Sequence, residues 1–389
     1  MKRKVIDLIF VLGFLLFLLG SLGRTLLRPK DINYYENRYA NRVAAFSVSG
    51  WLDGSFQDGM ESGLSDQLLG AQRLEKAYHQ GFSRYQRMIA ERLTALLPDR
   101  YLNIGQMRMF NGYLCYYARP AYMSSDALAR RVENYNAIFA AEPDTDFYLY
   151  YVEKETDLDL ETGEKTAQAY EQLQPFLTLP ASRTGCFRVN DFSEYSNCYY
   201  RTDHHWNFRG AYRGYCEILS MLAPEETPLV PGEPVCVGSF AGSKAEGKAR
   251  SAFSEDFYAF PFEFPAMEVT INGAPAADYG NQDAFFAGEA WGLNYGSFYG
   301  GDDAFIHFHN ADRADAGSLL VIGDSFDNAI LKLLASHFGD TYAVDLRYAA
   351  VQSGEAFRLG SFLEENDISK VLLVGNIDYY VSDAFLLED

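Results

Sequence analysis

Close to the C-terminus, apolar runs alternate with helix-length segments, and no other feature limits the fold as tightly. Residues 318–322 (SLLVI) and 370–376 (KVLLVGN) are almost continuously apolar. A strand buried on one face alternates apolar with polar residues. A continuous run suits a strand covered on both faces, as in parallel sheets. Residues 341–348 (TYAVDLRY) read as another strand. The spacing predicts helices over 327–339, closed by Gly339, and over 353–366. The result is βαβαβ, a parallel sheet covered by helices and therefore an α/β fold. Upstream, 146–153 (DFYLYYVE) reads as a strand. A helix is expected over 124–141, with Ser124 or Ser125 as N-cap. Another is expected over 207–222, with Asn207 as N-cap and Ala211, Tyr215, Ile218 and Leu222 on one face. Residues 224–315, rich in Gly, Pro and aromatics, read as loops and short strands.

In such sheets the active site lies beyond the carboxyl ends of the strands. Gly323-Asp324-Ser325, Asp345-Leu346-Arg347 and Gly375-Asn376-Ile377-Asp378 all fall there. Ser325 sits where a strand turns into a helix, and its N–H faces the positive end of a helix dipole, a place suited to an oxyanion. A serine needs a base, and the base needs an orienting carboxylate. Residues 203–206 read DHHW. In an extended segment Asp203 and His205 share a face and His204 takes the other. The spacing thus makes Asp203, His205 and Ser325 the catalytic candidates. A second possibility is a zinc site in which His307 and His309 join His205 and Asp203.

The net charge of −20 disfavours a phosphate backbone, so nucleic acid is not an expected partner. The five cysteines form no Cys-x-x-Cys pair; Cys186 and Cys198 are candidates for pairing in an oxidising compartment. Lys2, Arg3 and Lys4 precede an uncharged run from Leu8 to Leu22. That run reads as an uncleaved signal-anchor, with a cleaved signal peptide as its rival. The domain reading is an N-terminal anchor over 1–30, a helical segment over 31–115 and an α/β domain over 116–389. The expected location is the cell membrane, single-pass, with the C-terminal domain outside.

The ordered motifs ENR (36–38), DHHW (203–206), GDSF (323–326) and DLRY (345–348), with GSFAGSKAEGKA (238–249) and FYGGDD (298–303), resemble the DHHW family of exported bacterial proteins. That family is similar to the SGNH-like domain of alginate O-acetyltransferases. The resemblance implies an SGNH-hydrolase-like fold in which the Asp-x-His precedes the Ser, a permuted order. It also implies Asp203 as orienter, His205 as base and Ser325 as nucleophile. The activity implied is that of an O-acetyltransferase or esterase on a cell-surface polysaccharide. A membrane-bound O-acyltransferase is the implied acyl supplier, and neither cofactor nor metal is required. Asn376, Gly300 and Gly301 are candidate oxyanion donors, and Arg347 a candidate grip on the substrate. Trp291, with Tyr295, Phe298 and Tyr299, is a candidate sugar-stacking wall. The alternatives are a non-catalytic glycan-binding or envelope-assembly protein, and a carbohydrate esterase.

Overall fold

The computed structural model describes residues 2–27, 32–33, 38–67, 71–105, 107–117, 125–166, 169–245 and 253–387. The chain divides into two units, residues 1–86 with 247–251 and residues 87–246 with 252–389. The first holds α1 (Lys2–Leu27), the short pair β1 (Ile32–Asn33) and β2 (Arg38–Tyr39), α2 (Val48–Asp53) and α3 (Ser55–Gln67). Helix α4 (Ala71–Leu96) runs across the division. Ser47 caps α2 by accepting from the Gly50 N–H, and Gly54 ends it at φ +88°. Many side chains of the expected anchor, and Glu36 and Asn37 of the ENR motif, lie outside the described residues. Phe10 to Leu19 are exposed. Among the described residues no helix is long and apolar enough to cross a membrane.

The helical reading of 31–115 stops short of its end. β3 (Tyr101–Ile104), β4 (Met107–Phe110) and β5 (Tyr113–Cys115) form an antiparallel sheet. The β4–β5 turn is Asn111-Gly112, with φ of 46° and 88°. Asn-Gly is the residue pair that a two-residue hairpin with positive φ favours.

Next come α5 (Ser125–Ala141), β6 (Asp146–Val152), α6 (Ala169–Leu173), β7 (Thr184–Phe187), α7 (Phe192–Cys198) and α8 (Phe208–Leu222). The hairpin β8 (Val235–Phe240) and β9 (Glu255–Ala259) follows, then β10 (Glu268–Ile271), β11 (Ala274–Ala276), α9 (Gln282–Phe286), α10 (Tyr295–Tyr299) and β12 (Phe305–His309). The chain ends through β13 (Ser318–Gly323), α11 (Asn328–Ala335), β14 (Asp340–Val344), α12 (Leu346–Ser353), α13 (Leu359–Glu365), β15 (Lys370–Gly375) and α14 (Ile377–Val381).

The main sheet has eight strands in the order β11-β10-β12-β14-β13-β15-β6-β7. From β14 to β7 all neighbours are parallel, while β12, β10 and β11 add antiparallel at the other edge. The sheet is therefore mixed, not wholly parallel. Burial explains the contrast: β13 is buried throughout after Ser318, whereas in β12 buried Ile306 and Phe308 alternate with half-buried neighbours. Leu319, Val321, Leu372 and Val374 pack with α8 and α11 in one core, and Leu320, Ile322, Val371 and Leu373 pack with α5, α13 and α14 in the other. Fully burying each such side chain stabilises by about 1.5–3 kcal/mol. Helix α11 ends at Ala335, before Gly339, and the helix expected over 353–366 is instead α12 and α13, separated by Gly354 at φ +78°. All five cysteines are free, with Cys198 buried and Cys186 half-buried.

Candidate active site

Parallel order puts the carboxyl ends of β13, β14 and β15 side by side, and with them Ser325, Asp345 and Asn376. The DHHW segment arrives from the loop before α8. Its ends are tied together: Tyr199 bridges Trp206, and the Asn207 N–H donates to the Cys198 carbonyl at 2.8 Å. Asn207 caps α8 by accepting from the Arg209 and Gly210 N–H groups. Trp206 is fully buried against Phe187 and Phe326. Gly210 and Gly214, one turn apart on α8, leave it room; a Cβ on Gly214 would lie 2.6 Å from the indole ring. The tryptophan thus wedges the loop under its own helix and fixes the three residues before it.

Those residues form a bend, not an extended strand. Asp203 Oδ1 accepts both the His205 backbone N–H at 3.0 Å and the ring Nδ1–H at 2.6 Å. The i, i+2 relation therefore works through an Asx-type turn rather than through a strand pleat. With Nδ1 protonated toward the carboxylate, Nε2 is left to accept from the Ser325 hydroxyl, and that distance is 2.7 Å. Burial alone would raise the Asp203 pKa. The adjoining His205 and His204 and the hydrogen bonds from His205 and the Ser243 N–H outweigh it and hold the carboxyl well below its ordinary range. Tyr295 lies flat on the His205 ring, 3.7 Å between centroids and 4° between planes, and limits its tilt.

His204 does not point away. Its ring lies 3.8 Å from that of His205, yet its Nδ1 pairs with Ser243 Oγ at 2.6 Å. Ser243 also donates its N–H to Asp203 Oδ2 at 2.7 Å, so one residue holds both the orienting carboxylate and the second histidine. Gly242 makes the approach possible, since a Cβ there would sit 2.4 Å from the Asp203 Cβ. Behind this turn Lys244 pairs with Glu155 at 2.6 Å with both side chains fully buried, and Lys244 also donates to the Tyr195 hydroxyl. Ser243 lies inside 238–249, one of the segments that carry the resemblance to the DHHW family. Lys244 and Glu155 lack a sequence signal, because a buried ion pair between distant positions has no local pattern.

The other candidates divide. Ser325 is half-buried, and its N–H has no partner among the described residues, which leaves it available to an oxyanion. The Gly300 N–H is committed to the Gly296 carbonyl at 2.9 Å, which removes it as a donor. Gly301 accepts from the Tyr279 hydroxyl through its carbonyl. Asn376 directs its amide to Asp324 Oδ2 at 3.1 Å and caps α14 with its carbonyl, so it braces the turn that carries Ser325 instead of facing an oxyanion. Asp324 also accepts the Phe326 N–H at 3.0 Å, and burial pushes its carboxyl up to about 6. Arg347 does not reach out as a free grip, because it binds both oxygens of Asp345 and one of Asp302. Nor do Trp291, Tyr295, Phe298 and Tyr299 form a wall: Trp291 is 92% exposed and the other three are buried.

The ligand atoms of Asp203, His204 and His205 lie within 4.8 Å of one another, as a metal site requires. Each is already engaged: Asp203 with His205 and Ser243, His204 with Ser243, and His205 with Ser325. His307 and His309 are not part of this group; both pair with Asp340, at 2.7 and 2.9 Å, at the opposite end of the strands.

A search of the curated proteins found no match. Among solved structures, Bacillus cereus PatB1 is similar at a TM-score of 0.56 and 20% identity, covering 74% of this chain and 99% of its own. A structure of PatB1 with a sulfonyl adduct gives 0.54 and 21%, covering 72% and 100%. A DHHW family protein from Eubacterium siraeum gives 0.51 and 16%, covering 74% and 98%. At such identities the likeness is one of fold. A family model described as DHHW protein matches residues 185–344, a span that contains Asp203, His205 and Ser325, so the chain carries a DHHW region within an α/β fold of the kind that PatB1 also has.

Proposed function

We propose that the protein is a serine O-acyltransferase or esterase, with Ser325 as nucleophile, His205 as base and Asp203 as orienter, acting on a cell-surface polysaccharide. The single observation that supports this most is the continuous hydrogen-bonded line from Asp203 Oδ1 through His205 to Ser325 Oγ, at 2.6 and 2.7 Å. In this reading Ser325 Oγ attacks the carbonyl carbon of an acetyl ester or thioester donor and gives its proton to His205 Nε2. The carbonyl oxygen turns to the Ser325 N–H. As the bond to the leaving group breaks, His205 returns the proton to it, and an acetyl-serine remains. A sugar hydroxyl then attacks that ester and loses its proton to His205. Ser325 departs with the proton, and the sugar carries the acetyl group.

The acyl supplier in this scheme is a membrane-bound acyltransferase. The apolar run 8–22 supports a place at the membrane with the second unit outside. Water in place of the sugar makes the protein a carbohydrate esterase. The burial of Tyr295, Phe298 and Tyr299 favours that second reading, since those rings do not exclude water from an acceptor site. The test is a fluorophosphonate or sulfonyl fluoride on the intact chain, with the adduct mapped, followed by product analysis with a soluble acetyl donor and a glycan panel. An adduct on Ser325 and acetylated sugar are expected. Failure to label Ser325 in the folded protein sinks the triad, and free acetate as sole product with every glycan leaves the esterase.

A further inference from the structure

Beside the triad lies a cleft of about 470 Å³, lined by Tyr116, Tyr117, Lys154, His204, Asp378 and Phe385 among others. Its volume falls within the roughly 300–1,000 Å³ of small-molecule sites. Its position follows from two contacts. The His204 ring lies 3.8 Å from the His205 ring, and Asn376, which braces Asp324 next to the nucleophile, accepts the Asp378 N–H. The lining mixes aromatic surface with hydroxyl and charged groups, as a polyol with apolar ring faces requires. Its charges are already matched. Lys154 is the only cation among the described lining residues; it is 4% exposed and ion-paired with Asp378. A carboxylated or phosphorylated sugar would find no uncommitted cation among the described lining residues, and the chain's charge of −20 adds repulsion.

His204 supplies the polar contact. Its Nδ1 is taken by Ser243 Oγ, and among the described residues no hydrogen-bond partner engages Nε2. Burial and the adjoining His205 keep the ring neutral. When the Ser243 hydroxyl donates to Nδ1, the proton sits on Nε2 and the ring offers a donor to the cleft.

We infer that this cleft is the acceptor subsite, that it takes an uncharged sugar, and that His204 Nε2–H binds the sugar hydroxyl next to the one that His205 deprotonates. The reaction part rests on the proposed acyl-enzyme; the binding part does not.

The experiment therefore measures binding on the full-length Ser325→Ala protein, by calorimetry with uncharged β-linked glucose and N-acetylglucosamine tetrasaccharides and with tetra-uronates of equal length. The uncharged sugars are expected to bind more tightly. Adding His204→Gln, or separately Tyr117→Ala at an exposed position, should weaken them about tenfold, a change of roughly 1.4 kcal/mol. Asp378→Asn, which unmasks Lys154, should tighten uronate binding at least about fivefold. Tighter uronate binding to the parent, no binding of either class, or uncharged-sugar binding indifferent to both His204→Gln and Tyr117→Ala would each overturn the assignment. Cleavage of a small acetyl ester by the unmodified protein separates the two claims. Sugar binding without ester cleavage removes the catalytic reading and keeps the cleft, whereas cleavage without sugar binding does the reverse.

Discussion

Two histidine pairs, each with an aspartate, sit at opposite ends of the main sheet. His204 and His205 with Asp203 lie at the carboxyl ends of the parallel strands; His307 and His309 with Asp340 lie where β14 begins. The residue types are the same and the outcomes differ. At the first site Asp203 and His205 are about nine-tenths buried or more, a bend aims one imidazole at a serine, and Tyr295 lies flat on the ring. At the second the side chains are between 30% and 42% exposed, two imidazoles share one carboxylate oxygen, and among the described residues no serine joins them. Burial, a third partner and a place beside a helix N-terminus separate the hydrogen-bonded Asp203-His205-Ser325 line from a polar edge.

The contrast is broken most directly by alanine substitution. His205→Ala or Ser325→Ala should lower acetyl-ester turnover on the order of 10³-fold or more, and up to about 10⁶-fold. His307→Ala and His309→Ala should stay within about threefold of the parent. Comparable losses at both pairs would erase the distinction. Asp203→Asn should cost less, about 10⁴-fold at most, by allowing the wrong tautomer of His205 while the fold stays intact. Steady-state kinetics with circular dichroism on the same samples reads both.

Stability sharpens the same comparison. Removing one partner of the buried pair behind Ser243, as in Lys244→Met, should cost about 3–5 kcal/mol in urea unfolding, because Glu155 is left charged and buried. A loss under about 1 kcal/mol would mean that the pair does not hold the turn. Asp324 gives a pH signature. Burial raises its folded pKa to about 6, so the folded chain binds the proton more tightly than the unfolded one. The resulting cost is absent below about pH 4, grows as pH rises toward 6 and is complete above it, at roughly 3 kcal/mol. The stability difference between Asp324→Asn and the parent should therefore change across that window and be flat above it; a flat difference throughout would contradict the burial argument.

The smallest effect belongs to the second pair. Burial would raise Asp340, but the hydrogen bonds and charges of His309 and His307 outweigh it and lower its pKa. That contribution is present above the ordinary carboxylate range and fades as pH falls through the lowered value. Asp340→Asn should cost up to about 1 kcal/mol at neutral pH, measured by the same unfolding curves.

What the sequence determined by itself was local. The continuous apolar runs of β13 and β15 announced strands covered on both faces, Asn207 announced the start of α8, and the residues of the candidate triad stood out by type and spacing. These signals depend on neighbours within a few residues, where periodicity and capping act. Asn111-Gly112 is a turn signal of the same local kind, and it lies inside the span 31–115 that the helical reading covers. Tertiary structure alone decided that β12 would extend the sheet antiparallel, that Tyr295 would lie on the His205 imidazole, and that Arg347 would be neutralised by Asp345 and Asp302. It also brought Ser243 and the Lys244–Glu155 pair behind Asp203. Those outcomes join positions far apart in the chain, and what they settle is which polar groups become buried together, which no local pattern encodes.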